Sequence, residues 1–213
     1  MARYQRPQLN YVASDVWAAA CAAQRINGSY IKEVPINAPE DTQTNRSIVA
    51  SFLANPSAIA DEDRVQGDLV RSYFQGYTFK VLAGKNMSEF DVNAMVISNR
   101  NEITEVYDLS VITSLPASYT RAKARDDADR RVRDAVGFIG DVDEKVSANI
   151  EVMKCIHSRN WNTYYITGMT KDNQAVFFSY KSDIKIGTSI IVQGRVKAHR
   201  DGTVTQLSHT KVF

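Results

Sequence analysis

The sequence predicts an α+β chain, a mostly helical N-terminal region followed by a small five-stranded C-terminal barrel. Three observations lead there. Residues 10–115 place apolar side chains at three- and four-residue intervals between Gly and Pro stop signals. Residues 143–213 instead fall into five short, largely alternating runs separated by turns, which suits a closed or partly open barrel. Residues 116–137, between the two, are dense in both charges. The expected divisions are therefore a helical domain 1–115, a charged helical connector 116–137 and a barrel 138–213.

Composition narrows the class only a little. A chain of 213 residues suits one large domain or two small ones, and two fit the change of pattern better. The formal charge of +2 neither requires nor forbids nucleic acid, because a local stripe matters more than a total. Cys21 and Cys155 lie far apart without CxxC or Cys/His ligand spacing, and read as buried free thiols of a reducing compartment. No apolar run approaches the roughly 18 residues of a membrane span, and the polar start has no signal-peptide core. The expectation is a soluble cytoplasmic protein.

Taken in order, residues 1–8 form a loose arm carrying Arg3, Tyr4 and Arg6. Ser14-Asp15 offers a cap for a helix over 16–25 anchored by Trp17 and stopped by Asn27-Gly28. Ala18, Ala19, Ala22 and Ala23 leave room for a second helix to approach closely. Residues 35–44 read as a loop, and a helix over 46–54 ends at Asn55-Pro56. The longest helix opens on Asp61-Glu62-Asp63 and presents one stripe, Val65, Leu69, Val70, Tyr73, Phe74 and Tyr77, before Gly84-Lys85-Asn86. Gly84-Lys85 lacks the rest of a phosphate-loop pattern. A Ser88-capped helix over 88–98 and a last one over 102–115, ended by Pro116, complete the region.

The connector sets Arg121, Lys123, Arg125, Arg130, Arg131 and Arg133 beside Asp126, Asp127, Asp129 and Asp134. Two readings stand: a solvated helix held by side-chain pairs, or an arginine path for nucleic acid oriented by the aspartates. Gly137 is expected to end it. The strands then read as 147–156, 161–169, 174–180, 188–198 and 203–212, with Lys171-Asp172-Asn173 and Asp201-Gly202 closing hairpins. Alternation turns Ile190, Val192, Gly194 and Val196 inward and Ile191, Gln193, Arg195 and Lys197 outward. Ile150 and Val152 likewise face in, and Lys154 follows them unless the strand bends.

The run GTSIIVQGRVKAHRDGTVTQLSHTKVF, residues 187–213, resembles the last two strands of OB-fold modules in tailed-phage proteins of nucleic-acid metabolism. Phe138-Ile139-Gly140 and the hairpin before Phe177-Phe178 fit the start and middle of the same module. The resemblance covers the last 75 or so residues and implies an OB-like barrel and a single-stranded DNA-binding role in replication, recombination or repair. Replication-type members of that class carry an acidic C-terminal tail that recruits partners. Here the sequence ends Thr210-Lys211-Val212-Phe213, which leaves docking or self-association to the helical region.

Strands two and three are rich in aromatics, and outward rings there would stack unpaired bases while cations neutralise phosphate. Trp161, Tyr165, Phe178 and Tyr180 are the expected platforms, with Lys154, Arg159, Lys171, Lys181, Arg195, Lys197 and Arg200 as phosphate contacts. The expected ligand is single-stranded DNA, with RNA as the alternative because stacking does not distinguish the sugars. No nucleophile or paired-carboxylate motif appears, so the expected protein is not an enzyme and needs no cofactor. Cys155 and His157 share a strand face, and His199 and His209 are expected to approach across the last hairpin, but neither pair completes a metal site. The competing reading is a protein-interaction or assembly module on an OB scaffold.

Overall fold

The computed structural model describes residues 9–84, 86–200 and 202–213. The expected arm with Arg3, Tyr4 and Arg6, and Lys85 and Asp201 of two expected turns, lie outside the described residues. The chain divides between Arg121 and Ala122 into two compact units, one helical and one built on a barrel.

In the helical unit the first helix, α1 (Ala13–Asn27), starts earlier than Ser14-Asp15 suggests. A two-residue strand β1 (Tyr11–Val12) pairs antiparallel with β2 (Glu102–Ile103), and the Ala13 N–H donates to the Asn101 carbonyl at 2.9 Å. That bond satisfies a helix-terminal donor without a side-chain cap. Asp15 is thereby released to hold Arg64 at 2.7 Å. Gly28 ends α1 in the left-handed region at φ 67°, as the sequence indicates. α2 (Asn45–Ala54) is capped by the Thr44 hydroxyl, and α5 (Glu89–Ser98) by that of Ser88.

α1 and α3 (Asp61–Gln75) form the centre of this unit. Ala18, Ala19, Ala22 and Ala23 are fully buried, and Gly67 of α3 meets the α1 backbone so closely that an added Cβ would sit 2.8 Å from the Ala18 nitrogen. The contact fixes the rotation of α3. Asp63, Gly67, Val70 and Phe74 face the core, while Val65 and Leu69, expected in the same stripe, are 62% and 53% exposed on the far side. Asp63 enters buried because Arg25 clasps both its oxygens, at 3.0 and 2.7 Å. Gly76 separates α3 from a short α4 (Tyr77–Leu82), so the expected single helix is two.

The largest departure is α6 (Val106–Arg133), which runs through Pro116 and into the connector as one helix. An interior proline forfeits a backbone hydrogen bond and costs about 3 kcal/mol. Here Ile112, Leu115 and Ala117 are buried around it, and that packing outweighs the loss. The helix ends at Arg133, before Gly137.

The barrel consists of β3 (Lys145–Ser158), β4 (Thr163–Thr170), β5 (Ala175–Tyr180), β6 (Ser189–Arg200) and β7 (Val204–Val212). It closes in the order β3-β4-β5-β7-β6, antiparallel throughout except for the parallel pair β5–β7, a topology compatible with an OB-like fold. Ile150, Val152, Ile166, Val176, Phe178, Ile190, Val192, Val196 and Leu207 fill the interior. A second cluster forms where Ala128 and Val132 of α6 and Ala135 beyond it pack on Met153, Met169, Ala175 and Val204. Arg131–Glu151 at 3.0 Å and a short Asp129–Lys154 pair flank this seam. Part of the charge of the connector therefore fastens helix to barrel. Among the described residues no helix is long and apolar enough to cross a membrane.

Gly67→Ala tests the α1–α3 contact, since in an ordinary helix it would stabilise by about 1 kcal/mol. Against the Ala18 backbone the expected sign is reversed, a loss of about 1 to 3 kcal/mol read from the urea unfolding midpoint.

Candidate nucleic-acid interface

The outer faces of β4 and β5 follow from pairing. Ile166 lies opposite Phe178 and Tyr165 opposite Ser179, so odd-numbered residues of both strands share one face. Tyr165 and Phe177 are diagonal neighbours on the outside, with ring centroids 5.9 Å apart and planes inclined by 29°. The Arg200 guanidinium carbon stands 5.4 Å from the Phe177 centroid, at the end of β6. Ile156, opposite Tyr165 on β3, extends the surface with 60% exposure.

Phe178 is a correction. It is fully buried between Ile166 and the rest of the barrel interior and offers no face to a ligand. The outward ring is Phe177, which the sequence reading passed over. The three-residue turn from Thr170 to Gln174 carried the signal, because a hairpin closed there must match odd residues with odd. Tyr165 and Phe178 cannot share a face in that register.

The other expected platforms lie elsewhere. Trp161 belongs to the β3–β4 turn rather than to a strand, is 75% exposed, and joins Tyr180, Lys181, Lys211 and Phe213 around a cleft of about 700 Å³. Tyr180 also leans on the barrel interior. Arg159 is exposed in the same turn, and Lys197 on the outer face of β6. Lys171 lies in the β4–β5 turn, beside a smaller cleft shared with Arg131 and Glu151. Lys154 is half-buried and committed to Asp129. Arg195 opens onto a different groove, with Lys145, Ser147, Gln193, His209 and Lys211. The expected residues thus fall into separate groups around the barrel rather than one stripe.

The histidines are placed differently from expectation. His199 stacks on Phe138, centroids 4.0 Å apart, and its Nε2 lies 3.0 Å from the Gly140 carbonyl. Together with the Ile139 N–H donating to Thr205, this pins the 138–140 segment to the last hairpin. His199 pairs with Thr205, and His209 sits four residues further along β7 in a bulge, at φ 51°. The two do not meet. The Cys155 thiol donates to Asp183 at 3.2 Å, and burial pushes its pKa up. Cys21 is buried in α1, where desolvation lifts its thiol to about 12, so it is not a nucleophile. Among the described residues no three His, Cys, Asp or Glu side chains converge as a metal site would require.

Comparison of the chain with family models, curated proteins and solved structures returns no match. The site is therefore read from its own geometry.

Two truncations separate the adjacent rings. Phe178→Ala should cost about 3 to 5 kcal/mol as a core cavity, whereas Phe177→Ala should cost under about 1.5 kcal/mol, both from denaturant unfolding. Equal losses would contradict the register described above.

Proposed function

We propose that the barrel binds single-stranded DNA without catalysis, stacking bases on its outer aromatics and holding phosphates with lysine and arginine. The role fits replication, recombination or repair, in keeping with the resemblance to tailed-phage OB modules. One observation carries the reading: Tyr165 and Phe177 lie half-buried side by side on the outer face of β4 and β5, with Arg200 over the second ring. Tyr165 would offer its ring to a base, with Phe177 supporting it from the side, and the Arg200 guanidinium over Phe177 would meet the phosphate of the stacked nucleotide. Support comes from charge as well. From Lys145 to Phe213 there are ten Lys and Arg against four Asp and Glu, an excess the whole-chain total of +2 conceals. RNA would be accepted by the same surface.

A second reading applies to the helical unit, as a surface for a protein partner or a second copy. Val65, Leu69, Phe79 and Leu82 expose large apolar groups there, with Phe79 and Leu82 three-quarters exposed.

Fluorescence anisotropy with a labelled oligothymidylate across a salt series tests the first reading. Tyr165→Ala should weaken binding roughly 5- to 150-fold with the salt slope unchanged. Arg200→Gln should flatten the slope by about 0.7. Absence of micromolar binding by the unaltered protein at low salt would overturn the proposal.

A further inference from the structure

The barrel carries a basic groove that the aromatic face does not use. Its walls are the N-terminal half of β3, the middle of β6 and the end of β7, and it encloses about 700 Å³. Three strands set its side chains in cross-strand rows. Ser147, Gln193 and Lys211 are directly opposed in one row, and Lys145 lies directly opposite Arg195 in the next. All belong to the outward parity, since Val192 and Val196 of the intervening positions are fully buried.

The Lys145–Arg195 pair is the informative feature. Like charges directly opposite one another on a sheet destabilise it, and opposite charges are the usual solution. Neither forms an ion pair with a carboxylate among the described residues. The nearby Glu144 carboxylate is turned away, accepting the Asp141 N–H at 2.8 Å. The β7 bulge adds a second observation. Between the pairs Arg195–Ser208 and Gln193–Lys211 the strand gains a residue, and His209 takes φ 51°, a left-handed conformation that a non-glycine residue rarely holds. The bulge brings His209 to the groove beside Lys145 and Arg195. Strain at a bulge that re-aims a side chain into a cluster of unpaired cations is the arrangement of a ligand site rather than of a sheet built for stability.

We infer that this groove is a second binding site, for the phosphodiester backbone of a nucleic-acid strand. Lys145, Arg195 and Lys211 neutralise successive phosphates, and Ser147 and Gln193 supply neutral hydrogen-bonding groups between them. An anion seated between Lys145 and Arg195 turns the repulsive pair into a bridged one. Lys211 also borders the cleft of Trp161, Tyr180 and Lys181, so the groove opens onto further cations and rings. A strand long enough to pass beyond the β4–β5 face therefore has a second stretch of barrel to follow. The inference rests on the nucleic-acid reading of the aromatic face and extends it to a strand that wraps the barrel.

Oligonucleotide length separates the two sites. OB-type modules occupy roughly 4 to 16 nucleotides. The double variant Lys145→Gln/Arg195→Gln is compared with the unaltered protein on oligothymidylates of about 4 and about 16 nucleotides. For the longer strand the slope of log affinity against log salt should fall by about 1.4, the release expected for two single-strand phosphate contacts. Affinity for the shorter strand should be unchanged. If both lengths bind but the slope for the longer one is unmoved, the groove is not a nucleic-acid site, although the aromatic face stands. Equal weakening of both lengths would also overturn it, since the groove would then be no separate site. If the unaltered protein binds neither, the function proposed for the barrel fails first. A thermal melt of the double variant serves as the fold control. Relief of the like-charge pair should leave its midpoint equal or higher, and a lowered midpoint would contradict the assigned repulsion.

Discussion

One extra residue in β3 sets the arrangement of the barrel unit. Between Val152 and Lys154 the pairing with β4 slips by one, and the inside-outside parity of the strand inverts. Val152 fills the interior, whereas Met153 turns to the separate cluster beneath α6, with Met169 and Ala175. Past the bulge Cys155 packs toward the interior and Ile156 emerges opposite Tyr165. A single long strand can thus pair with β6 over its first half and β4 over its second, which closing the ring requires. Without the slip, Ile156 would face inward and Cys155 would stand beside the outer rings. The outer aromatic surface and the seat of the helix both depend on that residue.

Most of the barrel was legible because alternation reports burial directly. Ile190, Val192 and Val196 face in and Ile191, Gln193, Arg195 and Lys197 face out, as the period of two indicates. Where two apolar residues adjoin, the signal vanishes, since either parity buries one of them. Phe177-Phe178 is such a case, and only the partner strand decides it: Ile166 is inside, so its neighbour Phe178 is inside too. The bulge was visible only as a conflict, with Lys154 falling on the inward parity of Ile150 and Val152. Its outcome, a half-buried lysine paired with Asp129, needed the helix as well as the strand.

The helical unit was less legible for a different reason. Local rules place helix ends at caps and prolines, but they weigh only neighbours in sequence. Ser14-Asp15 loses its capping role to the Asn101 carbonyl, nearly ninety residues away in the chain. Pro116 fails to stop α6 because Ile112 and Leu115 are already fixed in the core. The rotation of α3 is set by the backbone contact at Gly67 and by the Arg25–Asp63 clasp, and Val65 and Leu69 are turned out as a result. In each case long-range contacts outweigh a local preference of about 1 to 3 kcal/mol.

The arginines divide by whether the fold itself gives them a partner. In the helical unit Arg25, Arg64 and Arg100 each meet a carboxylate, and Arg71 donates to the carbonyls of Ser98 and Arg100. Those side chains are accounted for by the fold, stapling helices and loops that would otherwise carry unmet polar groups. On the barrel, Arg131 and Lys154 do the same work at the α6 seam. Arg195 and Lys145 do not. They oppose each other across a pair of strands with no carboxylate of the described chain between them, and Arg200 stands over the π-face of Phe177. A sheet selected for stability alone would place an acid in one of those positions. Lys145 and Arg195, opposed with no carboxylate among the described residues to meet them, are the cations that the proposed nucleic-acid strand would satisfy. The strand proposed for the barrel would meet this local charge, and not the near-neutral total of the chain.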